Sequence, residues 1–93
     1  MAQESKLQAR IINYLLNEGW DVNKRICMSH SGWADLECLR KGGIFMEIEV
    51  KAKGKSPSPL QWHLINKHTS MGFISFWCDS WEMFIEKYNN HVV

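Results

Sequence analysis

The sequence predicts an α/β domain of 93 residues: a mixed four-stranded sheet flanked by helices, in the order α-β-β-β-α-β-α. Three observations predict it. Apolar residues recur at helical spacing near the start, residues 20–51 switch to alternation broken by glycine-rich turns, and a Ser-Pro step then opens a second helix that leads into a short apolar strand.

Leu7, Ile11, Tyr14 and Leu15 fall on one face of a helix running from about Gln3 to Glu18. Gly19 is a natural end for it, because the left-handed residue after a helix costs glycine least. Trp20 to Met28 alternates apolar and polar residues and reads as a first strand. Ser29-His30-Ser31-Gly32 is a turn, Trp33 to Leu39 a second strand, and Arg40-Lys41-Gly42-Gly43 a hairpin loop. Ile44 to Lys51 is a third strand, with Ile44, Met46, Ile48 and Val50 on one face and Phe45, Glu47, Glu49 and Lys51 on the other.

Ala52 to Ser58 is a polar loop. Ser58 is the expected N-cap, with Pro59 at the first position, of a helix that runs to about Met71 and stops at Gly72. Phe73 to Cys78 has the nearly all-apolar character of a strand covered on both faces. Asp79-Ser80-Trp81-Glu82 has the form of a capping box with Asp79 as N-cap, starting a last helix through about Tyr88, after which Asn89 to Val93 is expected to fray. The first three strands should form an antiparallel meander, and the last two a parallel pair joined by a right-handed crossover through the second helix.

Residues 1–93 make one domain, since a chain of this length has room for a single core. At 45% hydrophobic and 23% charged, the composition excludes a disordered polymer. No apolar run approaches the ~20 residues of a membrane span, and Met1 to Arg10 has no signal-peptide core. The expectation is therefore no membrane partner. The three cysteines, Cys27, Cys38 and Cys78, are an odd count without framework spacing, which suits reduced thiols in the cytoplasm. Cys27, His30 and Cys38 could be read as a zinc site, but there is no C-x-x-C, so buried free thiols are the expectation.

Five tryptophans are many for a small interior, so some should lie on the surface or in a homodimer interface; Phe76, Trp77, Trp81 and Phe84 are the candidates. Net charge is only +1, but ten of the eleven Lys/Arg lie in residues 1–67 beside seven acids. If a cation neutralises some of those acids, that surface becomes positive and suits nucleic acid.

The chemistry-bearing pattern is Glu47, Glu49 and Lys51 on one strand face, close after Asp35 on the neighbouring strand. Alternating charges suit a solvated strand face with cross-strand ion pairs. Helices on both faces of the sheet would leave such a row without solvent, and converging carboxylates would then need a hard divalent cation. Lys51 would project beside it and could stabilise charge developing on a phosphate.

Asp35, then Glu49-x-Lys51, within this element order resembles the PD-(D/E)XK nuclease core, which is restriction-endonuclease-like. Gly32-Trp33-Ala34-Asp35, Gly42-Gly43, Ile48-Glu49-Val50-Lys51, Ser58, Gln61 and Gly72 resemble its VRR-NUC branch, from about Glu4 to Tyr88. Ala34 stands where the superfamily pattern has Pro, a position that shapes only backbone. The resemblance implies Asp35 and Glu49 as carboxylate ligands of Mg²⁺ or Mn²⁺, the Val50 carbonyl as a further ligand, and Lys51 as catalytic lysine. It implies that Gln61 holds Lys51 or the phosphate, and that Glu4 reaches the metal directly or through water.

The implied activity is DNA phosphodiester hydrolysis by a structure-specific endonuclease, with four-way junction resolution by a homodimer as the form suggested for stand-alone members. Flap-cutting, nicking or restriction-like cleavage and a non-catalytic nucleic-acid-binding module are the alternatives. Lys53 and Lys55 could touch phosphates or simply be solvated. His63 and His68 read as surface histidines, and Glu47 as contacting a second metal or solvent. Gly54 between lysines is not a phosphate-binding loop, so no nucleotide cofactor is expected.

Overall fold

The computed structural model describes residues 3–26 and 32–92. Within them the chain forms α1 (Gln3–Asn17), β1 (Asp21–Lys24), β2 (Leu36–Arg40), β3 (Ile44–Val50), α2 (Pro59–Ser70), β4 (Ile74–Cys78) and α3 (Trp81–Val92). The α-β-β-β-α-β-α order expected from the sequence is the order observed. The sheet runs β1-β2-β3-β4, with β1–β2 and β2–β3 antiparallel and β3–β4 parallel. No helix among the described residues is long and apolar enough to cross a membrane.

Met46, Ile48 and Val50 of β3 form one wall of the core, whereas Ile44 at the start of the strand is exposed. Met46, Ile48 and Val50 are fully buried with Leu36, Cys38, Phe76 and Cys78 from the other strands, under Ile11 and Leu15 of α1 and Phe84 and Tyr88 of α3. Tyr14 joins the two helices by edge-on contacts to Trp81, Phe84 and Tyr88, at 5.4, 5.8 and 5.6 Å between centroids. Such pairs contribute roughly 0.5–1.5 kcal/mol each beyond their area. The Tyr88 hydroxyl accepts from Trp20 Nε1 at 3.0 Å and donates to Glu18 at 3.4 Å, so both polar handles in this seam are satisfied.

Several boundaries differ from expectation for identifiable reasons. Residues 89–92 do not fray: α3 continues to Val92, because His91 stacks on Phe76 at 5.5 Å and Val92 packs against the core. Ser80, not Asp79, caps α3, its hydroxyl accepting from Met83 N–H at 3.1 Å. Asp79 instead accepts from Gly54 N–H at 3.1 Å and ties down the loop after β3.

β1 ends at Lys24, well short of Met28, and the Cys27–Met28 end of that expected strand lies outside the described residues. So do Ser29, His30 and Ser31 of the expected turn, and with Cys27 and His30 the zinc reading. Cys38 and Cys78 are buried free thiols, which desolvation pushes up to about 12. Residues 33–35 precede β2 rather than belonging to it. Arg25 N–H still bonds the Asp35 carbonyl at 2.7 Å, so the two chain segments stay paired there.

The dimer candidates are corrected in part. Phe76 (4% exposed) and Phe84 (0%) are core, and Trp81 lies beneath the Arg10 guanidinium at 4.0 Å. Trp77 is half-buried against Trp62. The large apolar side chains left outside are others, among them Leu39, Ile44, Leu60, Trp62 and Phe73.

Candidate active site

The second face of the sheet is covered by α2, and this makes the charged row unusual. Glu47 and Glu49 are 1% and 3% exposed. The solvated strand face is excluded for both. Gln61, Ile65 and His68 recur at i, i+4 and i+7 along α2, so all three lie toward the sheet.

Asp35, just before β2, accepts from Val50 N–H on Oδ2 at 3.1 Å. That bond fixes its carboxylate beside the C-terminal end of β3. Gly32 lets the chain approach this point. Its φ is +85°, and a Cβ there would stand 2.5 Å from Leu60 Cγ on α2, so a larger residue would push the Asp35 segment away from the helix.

Glu49 Oε2 receives Gln61 Nε2 at 2.8 Å and the Lys51 ammonium at 3.3 Å. Gln61 has two tasks. Its side-chain oxygen accepts from Ser58 N–H at 2.8 Å, and Ser58 Oγ accepts from Gln61 N–H at 3.2 Å, forming a full capping box. With its oxygen so engaged, the amide can only donate toward Glu49. Gln61, expected to hold Lys51 or the phosphate, reaches Glu49 here, and Glu49 in turn pairs with Lys51.

The electrostatics are those of an undercompensated acid pair. Burial raises Asp35 above the usual carboxylate range; Val50 N–H opposes this, while Glu4 adds to it from the first turn of α1. Burial and then the Asp35 charge push Glu49 up to about 7, with Lys51 opposing. Glu49 Oε1 is buried and has no hydrogen-bond partner among the described residues.

An unpartnered buried carboxylate oxygen facing a second repelled carboxylate fits a hard cation with oxygen ligands. Among the described residues no three His, Cys, Asp or Glu side chains assemble into a ready metal-binding group, so Asp35 and Glu49 would supply part of a cation's shell and further oxygen ligands would complete it. A divalent cation, when bound there, supplies Lewis acidity and offsets anionic charge. Lys51 is one-fifth exposed and can reach outward to a developing negative charge. Lys53 and Lys55 are exposed on the loop that follows, and the structure gives them no contact with this site.

Glu47 does not meet solvent, and both of its oxygens are engaged by protein groups. Its Oε1 pairs with Arg25 Nη1 at 3.3 Å, and its Oε2 accepts from Ser75 Oγ at 2.8 Å and contacts His68 Nδ1. Arg25 also forks onto Glu37 at 3.0 and 3.2 Å and donates to the Ala34 carbonyl at 3.2 Å, three bonds to residues that flank Asp35 in the chain. His68 is thus no surface histidine, whereas His63 is exposed. Arg25 goes unnoticed in the sequence, and His68 reads there as a surface histidine. The seven-residue step from Gln61 to His68, two helical turns, was the available signal for His68; Ser75 is in register with Glu47 only through the parallel pairing.

No family model and no curated protein matches the chain. A solved structure described as "VRR_NUC domain" does match, at 22% identity, a TM-score of 0.86 and coverage of 100% of both chains. The resemblance suggested by Asp35, Glu49, Lys51 and Gln61 thus extends to the whole backbone: from end to end, the chain has the fold of a VRR_NUC domain.

Proposed function

We propose that this protein is a VRR-NUC-type nuclease that hydrolyses DNA phosphodiesters with Mg²⁺ or Mn²⁺. The observation that carries the proposal is the convergence of half-buried Asp35 and buried Glu49, one oxygen of Glu49 unpartnered among the described residues, with Lys51 against the same carboxylate. Acidic ligands and an acidic substrate repel, and a divalent cation between them reconciles the two. In this reading Asp35 and Glu49 hold the cation, with the Val50 carbonyl and Glu4 contributing directly or through water. Lys51 steadies the phosphate, and Lys53 and Lys55 contact the backbone of the DNA.

Plasmid nicking tests this. Mg²⁺ and Mn²⁺ should support it, and Ca²⁺ should bind with little or no turnover. Full activity in excess EDTA would remove the mechanism. Lys51→Ala should lose cleavage by about 10²-fold or more while Mn²⁺ still binds, as read by calorimetry. An active Lys51→Ala protein would mean another cation serves the phosphate.

The finer reading is a structure-specific endonuclease, a four-way junction resolvase acting as a homodimer inside the cell. Apolar side chains left in water, such as Leu39, Ile44, Leu60 and Trp62, supply material for an interface of like copies. A two-fold dimer would cut two strands of like polarity at symmetric positions and leave ligatable duplexes. Junctions labelled on each strand in turn, beside flap and linear duplex, check it. Nicks in a single strand, or equal rates on linear duplex, would leave a nuclease without the resolvase role, and light scattering at the monomer mass would remove the dimer.

A further inference from the structure

We propose that the aromatic cleft beside this site is a nucleobase pocket, which receives one unstacked base of the strand whose phosphate lies at Asp35 and Glu49; the position of the strand rests on the nuclease reading above. The cleft has a volume of about 260 Å³ and is lined by Trp33, Phe45, Glu47, His68, Met71 and Phe73. Trp33, Met71 and Phe73 are 40%, 60% and 44% exposed, an unusual amount of large apolar surface to leave around one opening.

The floor carries charge but offers little of it outward. Glu47 is already engaged by Arg25, Ser75 and His68. The surface left for a ligand is therefore ring faces and a thioether. Those rings are held rather than loose. Trp33 lies under the Arg25 guanidinium at 4.9 Å and against His68 at 5.0 Å, and Phe45 meets Phe73 edge-on at 5.5 Å. The buried ion network thereby sets the walls of the cleft.

Size selects the occupant. The cleft is smaller than the roughly 300–1,000 Å³ of pockets for drug-sized molecules, which suits one planar ring system. A second copy of this chain would need about 800 Å² of each partner, far beyond one such opening.

Position selects it further. Glu47 and Glu49 are two residues apart on one strand face, roughly 7 Å, so a strand with its phosphate at Glu49 brings a neighbouring base to the opening. Every base has a π-face, so recognition would tolerate sequence, but only an unpaired base could enter. A branch point, where bases are already unstacked, would then be favoured over linear duplex.

The test is a walk of single abasic residues through the unpaired positions of a splayed-arm duplex, with binding read by anisotropy in Ca²⁺. For the wild type, one position should weaken binding roughly 5- to 100-fold and the others little. Phe73→Ala should weaken binding to the intact substrate by a similar factor and lose sensitivity to that position, while Phe73→Tyr keeps it. Met71→Ala, at a more exposed site, gives the same non-additive cycle if Phe73→Ala melts early.

Wild-type indifference to every abasic position, or effects of variant and abasic residue that simply add, would overturn the pocket. So would loss of a dimer in Phe73→Ala without any base effect, which would make this face a contact between copies. Cleavage in Mg²⁺ without a base effect would retain the nuclease and remove the pocket; a base effect without cleavage would retain the pocket and remove the nuclease.

Discussion

Glu49→Gln is expected to abolish DNA cleavage, by about 10²–10³-fold or more, and at the same time to make the metal-free protein more stable at pH 8. The two effects share one cause. Burial and the neighbouring Asp35 charge raise the folded carboxyl to about 7 from its ordinary 4.5. Between those pH values the folded state keeps a proton that the unfolded state has released, so stability falls as pH rises through the window and stays low above it.

The penalty at pH 8 is on the order of 3 kcal/mol, and an amide of the same shape would remove much of it, less whatever Lys51 loses with its ion pair. Thermal melts in EDTA at pH 4 and pH 8 are the check. The variant should melt higher at pH 8, with the difference vanishing near pH 4, and added Mg²⁺ should raise the melting temperature of the wild type alone. A variant less stable at pH 8, or one stabilised equally at both pH values, would show that Glu49 is not held at a cost awaiting a cation.

Arg25→Ala is expected to carry the largest loss of stability among single polar substitutions. Arg25 is 16% exposed at its side chain and Glu47 only 2%. Removing the guanidinium leaves a buried carboxylate short of a cation and strands the second acid, Glu37. Breaking a buried pair in this way costs about 3–5 kcal/mol. For a domain of this size that lowers the melting temperature by roughly 12 °C or more.

Glu47→Gln placed in the same chain should recover part of the loss, since it removes the unpaired charge rather than restoring the pair. A single variant melting within about 3 °C of wild type would mean that solvent screens the pair and that the cleft walls owe little to it.

The element order was legible because hydrophobic periodicity is local. The switch from helical spacing to alternation at Trp20, the Ser58-Pro59 start and the Gly72 stop depend on backbone preferences that neighbours in sequence set. The parity of β3 put Glu49 on the face it occupies, because alternate residues of a strand must share a face, whereas Asp35, Glu49 and Lys51 stood out as a set through their resemblance to the PD-(D/E)XK pattern. Parity also told correctly that Glu47 shares that face. It could not tell what Glu47 meets there.

That answer depended on tertiary structure alone, as did the roles of Gln61 and His68. The partners of a buried carboxylate come from whichever elements fold over it. Arg25 arrives from the segment after β1, Ser75 by register with a parallel strand, and His68 from two turns along α2. None is a neighbour in sequence, and each ion pair depends on desolvation that exists only after α2 covers the sheet. The tail of α3 was missed for the same reason: its residues look polar and terminal, yet His91 finds the ring of Phe76. By itself the sequence determined which groups face which way; the packing of α2 decided which of them are buried, which are paired, and that one oxygen of Glu49 has no hydrogen-bond partner among the described residues.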